Sequence, residues 1–116
     1  MLFTLILKDS KGFTRAFKKG GYAADGNVSA HFFPNRTPYN RLGISVSKKI
    51  GGAVERNRAK RIIRAAYREC ESELPIGYDI VFSCRAGING KKSGDIKGFI
   101  RKRLIKEINK KSRDKK

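Results

Sequence analysis

From residue 53 onward the hydrophobic residues fall into a helical rhythm. Ala59, Ile62, Ile63, Ala66, Tyr67 and Cys70 follow the i, i+3, i+4, i+7, i+8 spacing of a single buried stripe. No helix breaker follows Gly51-Gly52 for about eighteen residues, so the spacing predicts a helix roughly 27 Å long. A shorter helix is predicted over 10–19, where Phe13, Ala16 and Phe17 share a face, Ser10 serves as N-cap and Gly20-Gly21 ends the run. Strand patterns lie between and after these helices. They are a short edge strand at 22–24 before the Asp25-Gly26 turn, a strand at 28–33, and a strand at 41–46 in which Leu42, Ile44 and Val46 alternate with Gly43 and Ser45. Along 28–33, Val28, Ala30 and Phe32 share one face and Ser29, His31 and Phe33 the other. Pro34 to Asn40 reads as a surface loop. The stretch 78–83, apolar without interruption at Ile80-Val81-Phe82, predicts a strand covered on both faces. A last helix over 93–109 buries Ile96, Phe99, Ile100, Leu104 and Ile108. The order α-β-β-β-α-β-α is that of an α+β fold, a small mixed sheet with three helices. It forms one domain over 1–109, followed by a basic tail, 110–116, too charged and too poor in apolar residues to order by itself.

Charge changes the picture most. With 28 Lys and Arg against 10 Asp and Glu, the chain carries a formal +18, a self-repulsion that disfavours the compact state unless counter-charge binds. The long helix concentrates it. Asn57, Lys60, Arg61, Arg64 and Arg68 lie opposite the apolar stripe, Arg56 and Arg58 flank it, and Lys48 and Lys49 precede the helix. Like charges at i, i+4, such as Lys60/Arg64 and Arg64/Arg68, cost a helix a few tenths of a kcal/mol each, about 0.2–0.5. A polyanion relieves that cost, and nucleic acid fits better than a membrane surface because no basic amphipathic segment carries an exposed Trp/Phe/Leu face. The apolar start, Met1 to Leu7, is too short for a signal peptide, and no stretch approaches a membrane span. The expected location is the cytoplasm, with no membrane partner.

The residues of a protein nuclease are missing. His31 is the sole histidine, the acids are scattered apart from Glu69, Glu71 and Glu73 beside a turn, and Gly51-Gly52 lacks the Lys-Ser/Thr ending of a P-loop. Cys70 and Cys84 have no metal-ligand spacing and are expected as reduced, small apolar residues, with a disulfide between them as the minority reading. No catalytic or metal-ligating residue is therefore assigned. Composition alone suits a ribosomal protein equally well. A DNA-binding regulator is disfavoured because strands, not helices, flank the basic helix.

The string from Arg41 to Arg64, Arg-Leu-Gly-Ile-Ser-Val-Ser-Lys-Lys-Ile-Gly-Gly-Ala-Val-Glu-Arg-Asn-Arg-Ala-Lys-Arg-Ile-Ile-Arg, resembles the signature of the protein subunit of bacterial ribonuclease P, centred on Arg56-Asn57-Arg58. A weaker likeness runs from about Leu7 to about Leu104. The resemblance implies a ribosomal-protein S5 domain 2-like fold and an RNA enzyme whose catalytic groups and Mg²⁺ belong to the RNA subunit. It implies ribonuclease P RNA and precursor tRNA as partners, with no obligate protein partner. On this chain Lys48, Lys49, Arg56, Asn57, Arg58, Lys60, Arg61, Arg64 and Arg68 would meet the RNA subunit. The family's Phe-x3-Phe pair, here Phe13 and Phe17, would border a cleft for the single-stranded 5′ leader of precursor tRNA. Spacing alone would make both rings core. Ser45, on the small-residue face of its strand, would lie in the cleft floor. A tyrosine of the 28–33 strand completes the cleft in the family. This strand has none; Ala30 is its counterpart, and Phe32, two residues along the same face, is the aromatic candidate.

Overall fold

The computed structural model describes residues 2–114, with side chains as far as 111. In chain order the elements are β1 (Thr4–Ile6), α1 (Ser10–Lys19), β2 (Gly21–Asp25), β3 (Val28–Pro34), β4 (Asn40–Ser45), α2 (Ala53–Cys70), β5 (Tyr78–Cys84), α3 (Ser93–Phe99) and α4 (Ile105–Asp114). A π-helical turn, Ile100–Leu104, joins α3 to α4, so the two make one helical body and the fold has three. The α+β class and the small mixed sheet are as the pattern predicts.

β1 is the strand the pattern does not predict. Leu2, Phe3, Leu5, Ile6 and Leu7 do not alternate, and the strand is only three residues long. It pairs parallel to the start of β4, Thr4 against Asn40 through Ile6 against Leu42, and forms one edge of a five-stranded sheet ordered β1-β4-β5-β3-β2. β1, β4 and β5 run parallel, and β5–β3 and β3–β2 are antiparallel. β5 lies in the middle and is covered on both faces, which explains its unbroken apolar run.

The sheet's inner face carries Val28, Ala30, Phe32, Leu42, Ile80 and Phe82 against the apolar stripes of α2 and α3–α4. Phe82 meets both Tyr67 and Phe99 edge-on. The π turn follows from the spacing of the last stripe. Ile96, Ile100, Leu104 and Ile108 stand four residues apart, and at 100° per residue such a stripe drifts about 40° at each step. One wide turn, in which the Ile105 N–H reaches the Ile100 carbonyl, takes up an extra residue and keeps all four buried. The helix then continues past 109 to Asp114, so most of the expected tail is helical backbone and only 115–116 lie outside the described residues.

Three polar residues behave differently from their sequence context. Asn40, expected in a surface loop, is buried; it donates to the Pro75 carbonyl at 3.0 Å and accepts from the Gly77 and Tyr78 N–H groups at 2.7 and 2.9 Å. Glu71, expected as solvated or helix-end charge, is buried and accepts from the Leu2 and Phe3 N–H groups at 2.8 and 3.2 Å, which holds β1 in place. Burial opposes its ionisation, but the hydrogen bonds from Thr4, Leu2 and Phe3 outweigh that and keep the carboxyl below the usual carboxylate range. Asp9, not Ser10, caps α1, its carboxylate accepting from Gly12 N–H at 3.2 Å. Cys70 and Cys84 are free thiols, and burial pushes Cys84 up to about 11.

Candidate nucleic-acid interface

The outer face of the sheet is built of cross-strand rows fixed by register. One row is Phe33–Asp79–Arg41, the next Tyr22–His31–Val81–Gly43, and the last Ala24–Ser29–Ser83–Ser45. α1 lies over the first two. Phe13 and Ala16 pack with Leu7, Val81 and Phe33, and the Arg15 guanidinium sits 6.0 Å from the Phe33 ring centre. Beneath them Arg41 forms a bidentate pair with buried Asp79 at 2.7 and 2.8 Å, and Asn35 donates to the same carboxylate at 3.0 Å. Hydrogen bonding to Asp79 raises the Arg41 pKa despite desolvation. The third row is left uncovered and forms a trough floored by small side chains.

Aromatic rings line one wall of this trough. The tip of the Phe13 ring rests on β4 because Gly43 has no side chain: a Cβ there would stand 2.6 Å from the ring. Phe17, one turn on, is 40% exposed and meets His31 edge-on with ring centres 4.7 Å apart. Tyr22 stacks on the other side of His31 at 5.7 Å and is 61% exposed. Burial lowers the His31 pKa, and its Nδ1 has no hydrogen-bond partner among the described residues.

Phe32 is not part of this wall. It faces inward, 2% exposed, edge-on to Tyr78 at 6.2 Å, and Ala30 shares its buried face. Alternation along β3 turns Phe32 toward the helices and brings His31 out beside Phe17. Sequence reading missed His31 and Tyr22, although the 28–33 alternation already placed His31 opposite Phe32.

Lys60 and Arg64 of α2 share a recess with Phe13 of the aromatic wall. β1 ends at Ile6, so the edge of β4 is unpaired over Gly43–Ser45. There a recess of about 120 Å³ is lined by Phe13 and Gly43 on one side and by Lys60 and Arg64 on the other. Asn57, Arg61, Arg64 and Arg68 are exposed, Arg56 and Lys60 half-buried. Lys48 and Lys49 are exposed on the 3₁₀ turn Lys48–Ile50, three residues beyond Ser45, which is itself exposed. Among the described residues none of these cations pairs with an acid; the ion pairs are Arg41–Asp79, Lys97–Glu69 and Arg101–Glu73. Arg58 differs from its neighbours. Its guanidinium donates to the carbonyls of Asn89 at 3.2 Å and Lys91 at 2.6 Å, while the Asn89 amide donates to Ile50 O at 2.8 Å. Arg58 thus fastens the lysine turn and the 86–91 segment to α2.

Among the described residues no three His, Cys, Asp or Glu side chains come together to hold a metal ion, and no helix is long and apolar enough to cross a membrane. The geometry is that of a binding surface, an aromatic and small-residue trough joined to a line of cations.

The family model described as "Ribonuclease P" matches residues 3–109. The ribonuclease P protein component of Petrotoga mobilis is 36% identical over 104 residues, covering 90% of this chain and 88% of its own. That of Clostridioides difficile is 39% identical over 101 residues, covering 86% and 88%. The structure of the Staphylococcus aureus RNase P protein superposes with a TM-score of 0.75 at 31% identity, over 90% of this chain and 94% of that one.

Proposed function

This chain belongs to the ribonuclease P protein family, and from that premise we propose how its surface divides the work. As a ribonuclease P protein component it serves a ribonucleoprotein endoribonuclease that matures the 5′ end of tRNA. The exposed cations of α2 and the lysine turn bind the RNA subunit, and the trough holds the 5′ leader of precursor tRNA. The single observation that supports this division is the meeting of the two surfaces at the unpaired Gly43–Ser45 edge, where Lys60 and Arg64 face Phe13. RNA held on α2 thereby delivers a single strand directly into the trough.

Each part has a physical task. Guanidinium groups on a rigid helix make charge-assisted phosphate contacts that fix register. Stacking on Phe17, His31 and Tyr22 contributes roughly 1–3 kcal/mol per base without regard to base identity. Only a precursor carries a leader, so this contact separates substrate from mature product. Among the described residues no three His, Cys, Asp or Glu side chains come together to hold a divalent ion, so we assign Mg²⁺ and the bond-breaking step to the RNA subunit and derive no step through a metal on the protein.

The test is cleavage of a precursor tRNA at low Mg²⁺ by protein alone, a bacterial ribonuclease P RNA alone, and both together. Cutting at the mature 5′ end by the mixture only is expected; cutting by the protein alone overturns the assignment. Within the complex, Phe17→Ala is expected to weaken precursor binding by about one stacked base, roughly 1–3 kcal/mol, and to leave mature tRNA binding unchanged. Equal losses for the two RNAs would place Phe17 in the core instead.

A further inference from the structure

A second groove opens at the other edge of the sheet. It has a volume of about 700 Å³ and lies between β2, at Gly20–Ala24, and the helical body, which contributes Arg103, Glu107, Lys110 and Lys111. A smaller recess of about 140 Å³ adjoins it at Gly20, Gly21 and Lys111 and adds Lys19. Four cations therefore face one acid. Among the described residues none of the five forms an ion pair. With glycine backbone on one wall and long cationic side chains on the other, the groove suits a phosphodiester chain rather than an apolar ligand.

Two features connect it to the trough. Ala24, at the end of the serine row, lines the groove and also a separate recess that holds Ser29 and Ser83, and Tyr22, at the end of the aromatic row, lines the groove. With strands about 4.8 Å apart, the trough crosses roughly 14 Å from β4 to β2, and a strand leaving it over β2 arrives between Tyr22 and α4. The helical body supplies three of the four cations, one of them from the π turn. Of that turn's three basic residues, Arg101 is committed to Glu73 at 3.0 Å, whereas Arg103 faces the groove; Glu107, Lys110 and Lys111 follow on the same side at i+4, i+7 and i+8. Such wide turns cost regular helical bonding and recur at functional sites.

We propose that this groove is a second single-strand RNA site, which takes the phosphate backbone of the upstream part of a long 5′ leader once it has crossed the trough. The proposal rests on the leader reading above. It makes affinity depend on leader length beyond the trough, through phosphate pairing that ignores base identity.

The experiment measures binding to the assembled holoenzyme of three RNAs: mature tRNA, a precursor whose leader spans only the trough, and a precursor with a long leader. The triple variant Arg103→Ala, Lys110→Ala, Lys111→Ala changes exposed side chains. It should weaken long-leader binding about five- to tenfold, make its salt dependence shallower by about 0.7 for each phosphate left without a cation, and leave the other two RNAs unchanged. Glu107→Gln should tighten long-leader binding alone. Equal losses for short and long leaders would assign the groove to the RNA subunit or the tRNA body and overturn the proposal, as would no loss at all. If wild-type holoenzyme fails to separate the short-leader precursor from mature tRNA, the leader reading itself falls. If it separates them while the triple variant keeps the full long-over-short advantage, only the groove assignment falls.

Discussion

Phe13 and Phe17 sit one helical turn apart and do different things. Phe13 is pressed on Gly43 and closes the sheet, while Phe17 keeps a free face and leans on His31. His31 gives the clearest pH signature. Burial holds its pKa below 6.5, so as pH falls the unfolded chain takes up the proton first. Stability from this residue is complete above 6.5 and is lost as pH drops through the lower folded value. We expect the melting temperature to fall as pH drops below about 6.5, and that of His31→Phe, which keeps the aromatic wall, to fall less. The sequence showed the pair Phe13 and Phe17 and the alternation of β3. It did not show which face of β3 the helices cover, because that depends on how α3–α4 packs, and so Phe32 and His31 exchange roles. Tyr22 was legible only as part of an edge strand; its stack on His31 follows from the β2–β3 register.

The elements themselves were legible where periodicity was strong. α2 begins after Gly52 and runs eighteen residues, as its stripe requires. β1 and the π turn were not, since three unalternating residues carry no strand period and a stripe spaced by fours still passes for an α-helix. Within α2, similar charges divide by partner. Arg61→Ala and Arg64→Ala should each lower the salt slope of RNA-subunit binding by about 0.7–0.9 per phosphate. Arg58→Ala should lower the melting temperature of the free protein, because it releases the Asn89 and Lys91 carbonyls, and should change the slope less. A slope change equal to that of Arg61→Ala would mean that Arg58 contacts phosphate directly. Deletion of Lys102 should close the wide turn into regular helix with Leu104 and Ile108 still buried, since steps of three and four suit 3.6 residues per turn. Circular dichroism and melting should then match the wild type within about 4 °C, and any loss should appear in long-leader binding.

At the scale of the whole molecule, charge gives salt two opposite effects. A chain at +18 with three ion pairs among its described residues repels itself, so screening should raise the melting temperature of the free protein. The same screening weakens its hold on RNA. Calorimetry across a salt series should show the melting point of the free protein rising, and the extra stabilisation given by bound RNA shrinking. The net charge, the basic helix and the lysines before it were plain in the sequence, but the cationic groove at the opposite edge needed the sheet order. That order also sets a timetable. β5 is the central strand, yet it begins only at Tyr78, and both β3 and β4 pair with it. A chain emerging from the ribosome has no middle strand to assemble on until Tyr78–Cys84 has left the exit tunnel. Until then the lysines and arginines of α2, which lies earlier in the chain, have no sheet to be arranged on, so the basic helix and the sheet can be presented together only after β5 has emerged.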